Sequence, residues 1–483
     1  MKTDNCITRF APSPTGYIHI GNVRSAIYPY LVARQNNGKF ILRIEDTDRE
    51  RYVEGATDLI EDTLKWLGLE WDEGPEVGGD NGPYFQSERL EIYHEWVKKL
   101  LDAHRAYSDP TPAEKIDEYR KECSEKKVPF LYRNFRPEKL DFEFHEGVPI
   151  RFLAEPKDYE WTDAVMGPMK AGPEVQDDII LIKKDGYPTY NFAHIVDDAE
   201  MGVTHVMRGV EYLSSTPNYL GLYDAFGLER PVLVSLPHIL APTGNKKLGK
   251  RDGAKSVTEY RDDGVLPEAM LNYLACLGWN DGTEQEIYTK DELVSRFSRD
   301  RIQSSGARYD ETKLLWMNGQ WIRRIFDTEG ASALYVKTEG FWPEAAAGSS
   351  EEYKLKVLSI IYDRLKTLSD LRAMTEYFFK DPEIDMEMLK SNKFLKKLSE
   401  AELEDLMKKS ISRLGEITDW TAENLNAALN ELLAETGQKP AVLFSLIRIA
   451  VSFAPFSPAL DLTLNVLGRD TALSRLNAVA RAI

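Results

Sequence analysis

Cysteine is scarce in this chain. Cys6, Cys123 and Cys276 are the three among 483 residues, too few and too widely spaced for a disulfide framework or a Cys-x-x-Cys metal knuckle. A reducing setting is therefore expected. Long apolar runs are missing as well: no stretch reaches the roughly 18 residues of a membrane span, and Met-Lys-Thr-Asp-Asn leads into a strand with no apolar signal core. The expectation is a cytoplasmic protein with no membrane association. Positive charge is the third deficit. Against 79 Asp and Glu stand 61 Lys and Arg, a formal charge of -18, which excludes a general scavenger of phosphates. Basic side chains do gather at 246–255 and 393–397, so a specific RNA could still be met locally, although the second cluster reads as a solvated face.

What is present begins with Thr-Arg-Phe-Ala-Pro-Ser-Pro-Thr-Gly-Tyr-Ile-His-Ile-Gly-Asn at 8–22, which reads as a strand, a constrained turn and a helix start. Pro12 and Pro14 fix φ and remove donors, Gly16 permits a tight bend, and Ile20, Val23, Ile27, Tyr30 and Leu31 recur at the helical period. His19 then falls at a helix N-terminus, where orphan N–H groups suit a phosphate, and Gly21 lets a base or ribose lie on the backbone. A lone His-x-Gly is more often an ordinary strand-turn-helix joint with a capping histidine, and it is the residues around it that reverse this reading.

The apolar run at 40–45 predicts a buried parallel strand ending on Glu45, and 53–67 predicts an amphipathic helix closed by Gly68. From 107 to 185 charges, prolines and short strands break the pattern, as an insertion between two halves of a nucleotide-binding fold would. Apolar strands return and end on Tyr190, Asp197, Asp198 and Arg208. A basic Gly-rich loop follows at 246–255. Beyond about 326 the pattern is helical, with Thr421 capping a stripe of Leu425, Ala428, Leu429 and Leu432 that Gly437 ends.

These stretches resemble one family. Arg-Phe-Ala-Pro-Ser-Pro-Thr-Gly with His-Ile-Gly-Asn is similar to the HIGH signature of class I aminoacyl-tRNA synthetases in its glutamyl and glutaminyl form, and Lys247-Leu-Gly-Lys-Arg resembles their KMSKS signature. Leu-Arg-Ile-Glu-Asp-Thr-Asp at 42–48 resembles the glutamyl branch, where glutaminyl enzymes carry Phe-Asp-Asp-Thr-Asn. The helical tail resembles the anticodon cage of bacterial glutamyl enzymes, where glutaminyl enzymes use β-barrels. Asn22, Gly249, Val210 and Tyr212 depart from the family pattern.

The resemblance implies an α/β fold with a Rossmann-type parallel-sheet catalytic domain at 1–106 and 186–245, an inserted acceptor-binding α+β domain at 107–185, the KMSKS loop and a helical stem-contact region at 246–325, and an all-α anticodon-binding region at 326–483. It implies ATP-dependent attachment of L-glutamate to tRNA(Glu) through a glutamyl-adenylate. His19, Gly21, Asn22 and Lys250 would hold ATP, with His19, Lys247 and Lys250 catalytic. Arg9, Ala11, Ser13, Glu45, Tyr190 and Arg208 would hold glutamate, Glu45 taking its ammonium, while Arg364 and Arg448 would touch tRNA. Mg2+ is expected to arrive with ATP. No zinc is expected, because 107–185 offers only Cys123 and His145 as soft ligands. A monomer is expected. The alternatives are an enzyme that also charges tRNA(Gln), a glutaminyl enzyme, which the 42–48 stretch and the tail oppose, and a non-catalytic tRNA-binding paralogue.

Overall fold

The computed structural model describes residues 6–16, 18–249, 255–454 and 457–483. The chain forms two compact units, Met1–Tyr260 with Met270–Glu311, and Arg261–Ala269 with Thr312–Ile483.

In the first unit, strand β1 (Ile7–Phe10), helix α1 (Ile20–Gln35) and strand β2 (Lys39–Leu42) make a β-α-β crossover whose strands run parallel, Arg9 opposite Ile41. Both strands are buried along almost their whole length, as a parallel sheet covered on two faces requires. Beyond β2 the chain stays beside the proline turn, because Arg43 N–H donates to the Phe10 carbonyl and Glu45 N–H to that of Pro12, both at 3.0 Å. Glu45 is thereby fixed next to the helix start. Helix α2 (Ala56–Trp66) begins later than the expected start at residue 53, since Gly55 has φ 78, which no right-handed helix contains. Helix α3 (Leu90–Asp102) packs Tyr93, Trp96 and Val97 inward.

Strand β3 (Ala106–Ser108), helix α4 (Ala113–Glu125) and strand β4 (Ile150–Phe152) open the region of broken pattern, followed by β5 (Tyr159–Asp163), β6 (Gly167–Ala171) and β7 (Ile180–Ile182). β3, β4 and β7 form one antiparallel sheet. Helix α5 (Tyr190–Glu200), β8 (His205–Gly209), α6 (Thr216–Phe226) and β9 (Val232–Leu236) complete this half. Arg208 does lie on a strand, but Tyr190, Asp197 and Asp198, expected at strand ends, stand on helix α5 instead, because a short apolar run buried on all sides has no period that tells a helix from a strand. β8 and β9 are parallel, and the β5–β6 hairpin joins β9 through Asp163 and Leu233, so that residues 159–171 extend the sheet of the second half. Thr204 N–H donates to the Ile7 carbonyl at 2.9 Å, lacing the approach to β8 onto β1.

The second unit is helical. Its core gathers Leu406, Leu425, Leu432, Leu446, Leu464 and Leu476 from five helices. Ser399 and Glu402 form a capping box at Glu400–Gly415, and Thr421 accepts from the Asn424 N–H to cap Ala422–Thr436, which Gly437 ends at φ 64.

Candidate active site

The C-terminal ends of β1 and β8, the Pro12–Pro14 turn and the starts of α1 and α5 enclose a cavity of about 240 Å³. Open α/β sheets place ligands at such a crevice beyond the carboxyl ends of their strands. Arg9, Ala11, Ser13, Glu45, Tyr190 and Arg208, expected to share one ligand, all line it, together with Gly21, Asn22 and Lys247. His19 faces an adjoining cleft of about 170 Å³, which shares Pro12, Ser13 and Asn22 with the first. His19 is the N-cap of α1, and the N–H groups of Asn22 and Val23 donate back to its carbonyl. A Cβ built on Gly21 meets nothing within 4 Å, so the protein's own packing does not demand a glycine there. Lys250 lies outside the described residues.

A buried charge network forms the cavity floor. Arg9 Nε and Nη2 donate to the two oxygens of Asp198, each at 3.1 Å, and Nη1 donates to the Met207 carbonyl. Three of its five N–H groups are thereby engaged. Arg43, fully buried, donates to Asp198 Oδ1 at 2.8 Å and to Glu45 Oε1 at 3.2 Å. Asp197 accepts from Arg89 Nε, Gln86 Nε2 and the Tyr93 hydroxyl. Burial would raise Asp198, but Arg9 and Arg43 outweigh it and hold the carboxyl well below the usual range. Glu45 is the opposite case. Burial pushes it up to about 7 against the pull of Arg43 and Arg9. A carboxyl so poised gains from a cationic ligand.

Tyr190 stacks on Tyr212, ring centroids 4.8 Å apart, and on His194. Arg208 lies over the Tyr219 ring at 4.5 Å. On the far wall Lys247 donates to Glu211 at 2.9 Å, and burial of Glu211 is outweighed by hydrogen bonds from its own N–H and Lys247, so its carboxyl stays low. Although Val210 departs from the family pattern, the next residue supplies an acidic group to the cavity wall.

Arg43, His194, Glu211, His238 and Arg24 belong to this site yet were not singled out in the sequence. Arg43 carried a signal, an arginine within the apolar run Phe-Ile-Leu-Arg-Ile-Glu, since a charge inside a buried strand must have partners. The others sit among ordinary loop and helix residues and become visible only through contacts.

In the second unit Arg448 is half-buried, its Nε lacks a hydrogen-bond partner, and burial together with the charge of Arg364 lowers its guanidinium. Arg364 itself lies 3.9 Å from the Asp363 carboxylate. Among the described residues no group of three or more His, Cys, Asp or Glu is placed to hold a metal ion. His145 pairs with Asp141 at 2.8 Å, and Cys123 is buried on α4. No described helix is long and apolar enough to cross a membrane.

Residues 5–316 match the family described as tRNA synthetases class I (E and Q), catalytic domain, and 333–480 match the anticodon binding domain family. A glutamate–tRNA ligase of Clostridium kluyveri is 38% identical over 481 residues, 97% of this chain and 96% of the relative. Another from Dehalococcoides mccartyi is 40% identical over 485 residues, 99% of this chain and 98% of the relative. Among solved structures, a glutamate tRNA ligase from Elizabethkingia meningosepticum in complex with its amino acid superposes with a TM-score of 0.87 at 31% identity, covering 99% of both chains.

Proposed function

The chain belongs to the class I tRNA synthetases of the glutamyl and glutaminyl type, and from that premise we infer that it joins L-glutamate to tRNA(Glu) at the expense of ATP. The observation that carries the assignment of roles is one cavity in which a carboxylate, Glu45, stands with two arginines, Arg9 and Arg208, beside a helix N-terminus. An α-amino acid with an acidic side chain presents one cation and two anions, and this set complements it.

The glutamate α-carboxylate attacks the α-phosphorus of ATP, pyrophosphate leaves, and the terminal ribose hydroxyl of tRNA then displaces AMP from the adenylate. No protein nucleophile is needed; the chain supplies position and charge. Glu45 accepts the ammonium, whose arrival favours its ionised form. Ala11 and Ser13 lie along the amino acid, and Tyr190 closes one side with its ring. Gly21 leaves space for the nucleotide, His19 and Asn22 sit at its phosphate and ribose, and Lys247 with Lys250 stabilises the departing pyrophosphate. The described residues offer no carboxylate set for a cation, so Mg2+ would come with the ATP phosphates, whose charge it neutralises.

The exposed part of Arg448 with Arg364 is the proposed contact for tRNA, the chain acting as a cytoplasmic monomer. Pyrophosphate exchange with glutamate, with and without tRNA, tests the reading; exchange with glutamine alone, or none under either condition, overturns it. Charging assays with tRNA(Gln) decide whether that tRNA is also a substrate.

A further inference from the structure

Arg9 and Arg208, both assigned above to glutamate, are anchored in opposite ways. Arg9 makes a bidentate ion pair with Asp198. Arg208 Nη1 donates instead to Nε2 of His194 at 3.0 Å, and among the described residues no carboxylate stands within ion-pair distance of Arg208. The protonation of His194 follows from its partners. Its Nδ1 lies 2.7 Å from the Tyr190 carbonyl, which only accepts, so Nδ1 carries the proton. Its Nε2 faces a guanidinium, which only donates, so Nε2 is a lone pair and the ring is neutral. The imidazole is 1% exposed, stacked on Tyr190 at 4.9 Å and set edge-on to Tyr219 at 4.6 Å, and cannot swing away. The charged groups nearest to it are Arg208 on β8, Arg9 on β1 and Asp198 on its own helix.

We propose that His194 is a positioning and specificity-determining residue: it fixes the direction of Arg208 with a neutral acceptor, leaving that arginine's charge uncompensated for an anionic amino-acid side chain. A carboxylate in its place would orient Arg208 equally well and cancel the charge that the substrate requires. This rests on the glutamate reading given above.

The test has two arms on the full-length chain. Histidine ¹⁵N labelling and NMR of the native protein at pH 7 should show His194 as the neutral Nδ1–H tautomer. An imidazolium or an Nε2–H tautomer overturns the proposal without any variant. The second arm compares the near-isosteric pair His194→Gln and His194→Glu in exchange assays. His194→Glu should lower kcat/KM for glutamate by about 100-fold or more relative to His194→Gln, the scale of compensating a buried charge, with the KM for ATP unmoved and the preference for glutamate over glutamine collapsing. Equal glutamate kinetics in the two variants would overturn it. If His194→Glu does not fold, His194→Leu, which lacks an acceptor, should raise the glutamate KM about 10-fold or more, with His194→Gln recovering most of the loss. An unchanged KM in His194→Leu also overturns the proposal. Absence of glutamate-dependent exchange in the native chain would instead strike the functional reading, and the NMR arm would still decide the geometry.

Discussion

Glu45 and Asp198 share one guanidinium. Arg43 donates to Oε1 of the first at 3.2 Å and to Oδ1 of the second at 2.8 Å, and Asp198 in turn holds Arg9 by two bonds. The acceptor proposed for the substrate ammonium and the arginine proposed for a carboxylate are thus tied to a single buried side chain that does not line the cavity.

Arg9→Ala should act on both ends of this chain of contacts. It removes a cavity donor but leaves Asp198 compensated by Arg43, so the glutamate KM should rise strongly, the KM for ATP should change little, and stability should fall by about 1.5 to 3 kcal/mol, the scale of hydrogen bonds to a charged group. Steady-state exchange and urea denaturation measure the two effects. Unchanged glutamate kinetics would remove Arg9 from the site.

Glu45 sets a pH dependence. Its carboxyl is raised to about 7 in the folded chain, so the native state holds an extra proton between the unfolded value of 4.5 and about 7, and the stability this proton confers is lost as pH rises through that window. Glu45→Gln should therefore be more stable than the native chain above pH 7 and gain nothing at pH 4. Binding of the ammonium needs the ionised form, so glutamate affinity should fall by up to about tenfold per pH unit below 7 in the native chain. The Gln variant, titrated by calorimetry, should bind weakly with a flat profile.

Gly21→Ala separates packing from ligand binding. No protein atom meets the added Cβ and the position is inside α1, so the melting temperature should hold or rise, since alanine favours a helix over glycine by about 1 kcal/mol. The KM for ATP should nonetheless increase. A variant with native ATP kinetics would show that the open space at Gly21 is not a nucleotide seat.

Lys250→Ala tests the mobile charge of activation. A contact that strengthens as charge develops lowers kcat more than ground-state binding, and its loss should cost roughly 3 to 4 kcal/mol, or about 100- to 1000-fold in rate. Lys250→Arg should recover only part. Lys255→Ala is the control: Lys255 lies 3.9 Å from Glu311 and over the Tyr260 ring, contacts independent of the nucleotide. Equal losses in both alanine variants would indicate a general charge effect.

Much of the site was legible because parallel-sheet chemistry is local. The strand of Arg9, the Pro12–Pro14 turn and the helix of Gly21 are consecutive, and Glu45 follows the next strand, so one crossover brings them together. His194 was illegible for the converse reason. Its role depends on Arg208 one strand later and on a tautomer set by the Tyr190 carbonyl, neither of which has a sequence pattern. The start of α2 slipped because Val53 and Glu54 are compatible with a helix as residues, whereas the left-handed backbone at Gly55 does not permit the helix to run back to them. In the tail, Thr421 and Gly437 stood where predicted because caps are written in the residues that make them.

The division of the chain into two units has a consequence for dissection by truncation. Residues 261–269 belong with 312–483: Leu266 N–H donates to Asn318 Oδ1, and Leu368 N–H to the Gly264 carbonyl. The polypeptide therefore crosses between the units at 260–261, 269–270 and 311–312. No single scission yields both units whole. A fragment ending near 325 would keep the helix ends and turn of residues 261–269 but lose the backbone they are sewn to, and one starting there would lack the thread itself. The helical tail is in this sense interleaved, not appended, and a graft of it onto another catalytic half must carry nine residues from deep inside its neighbour's sequence.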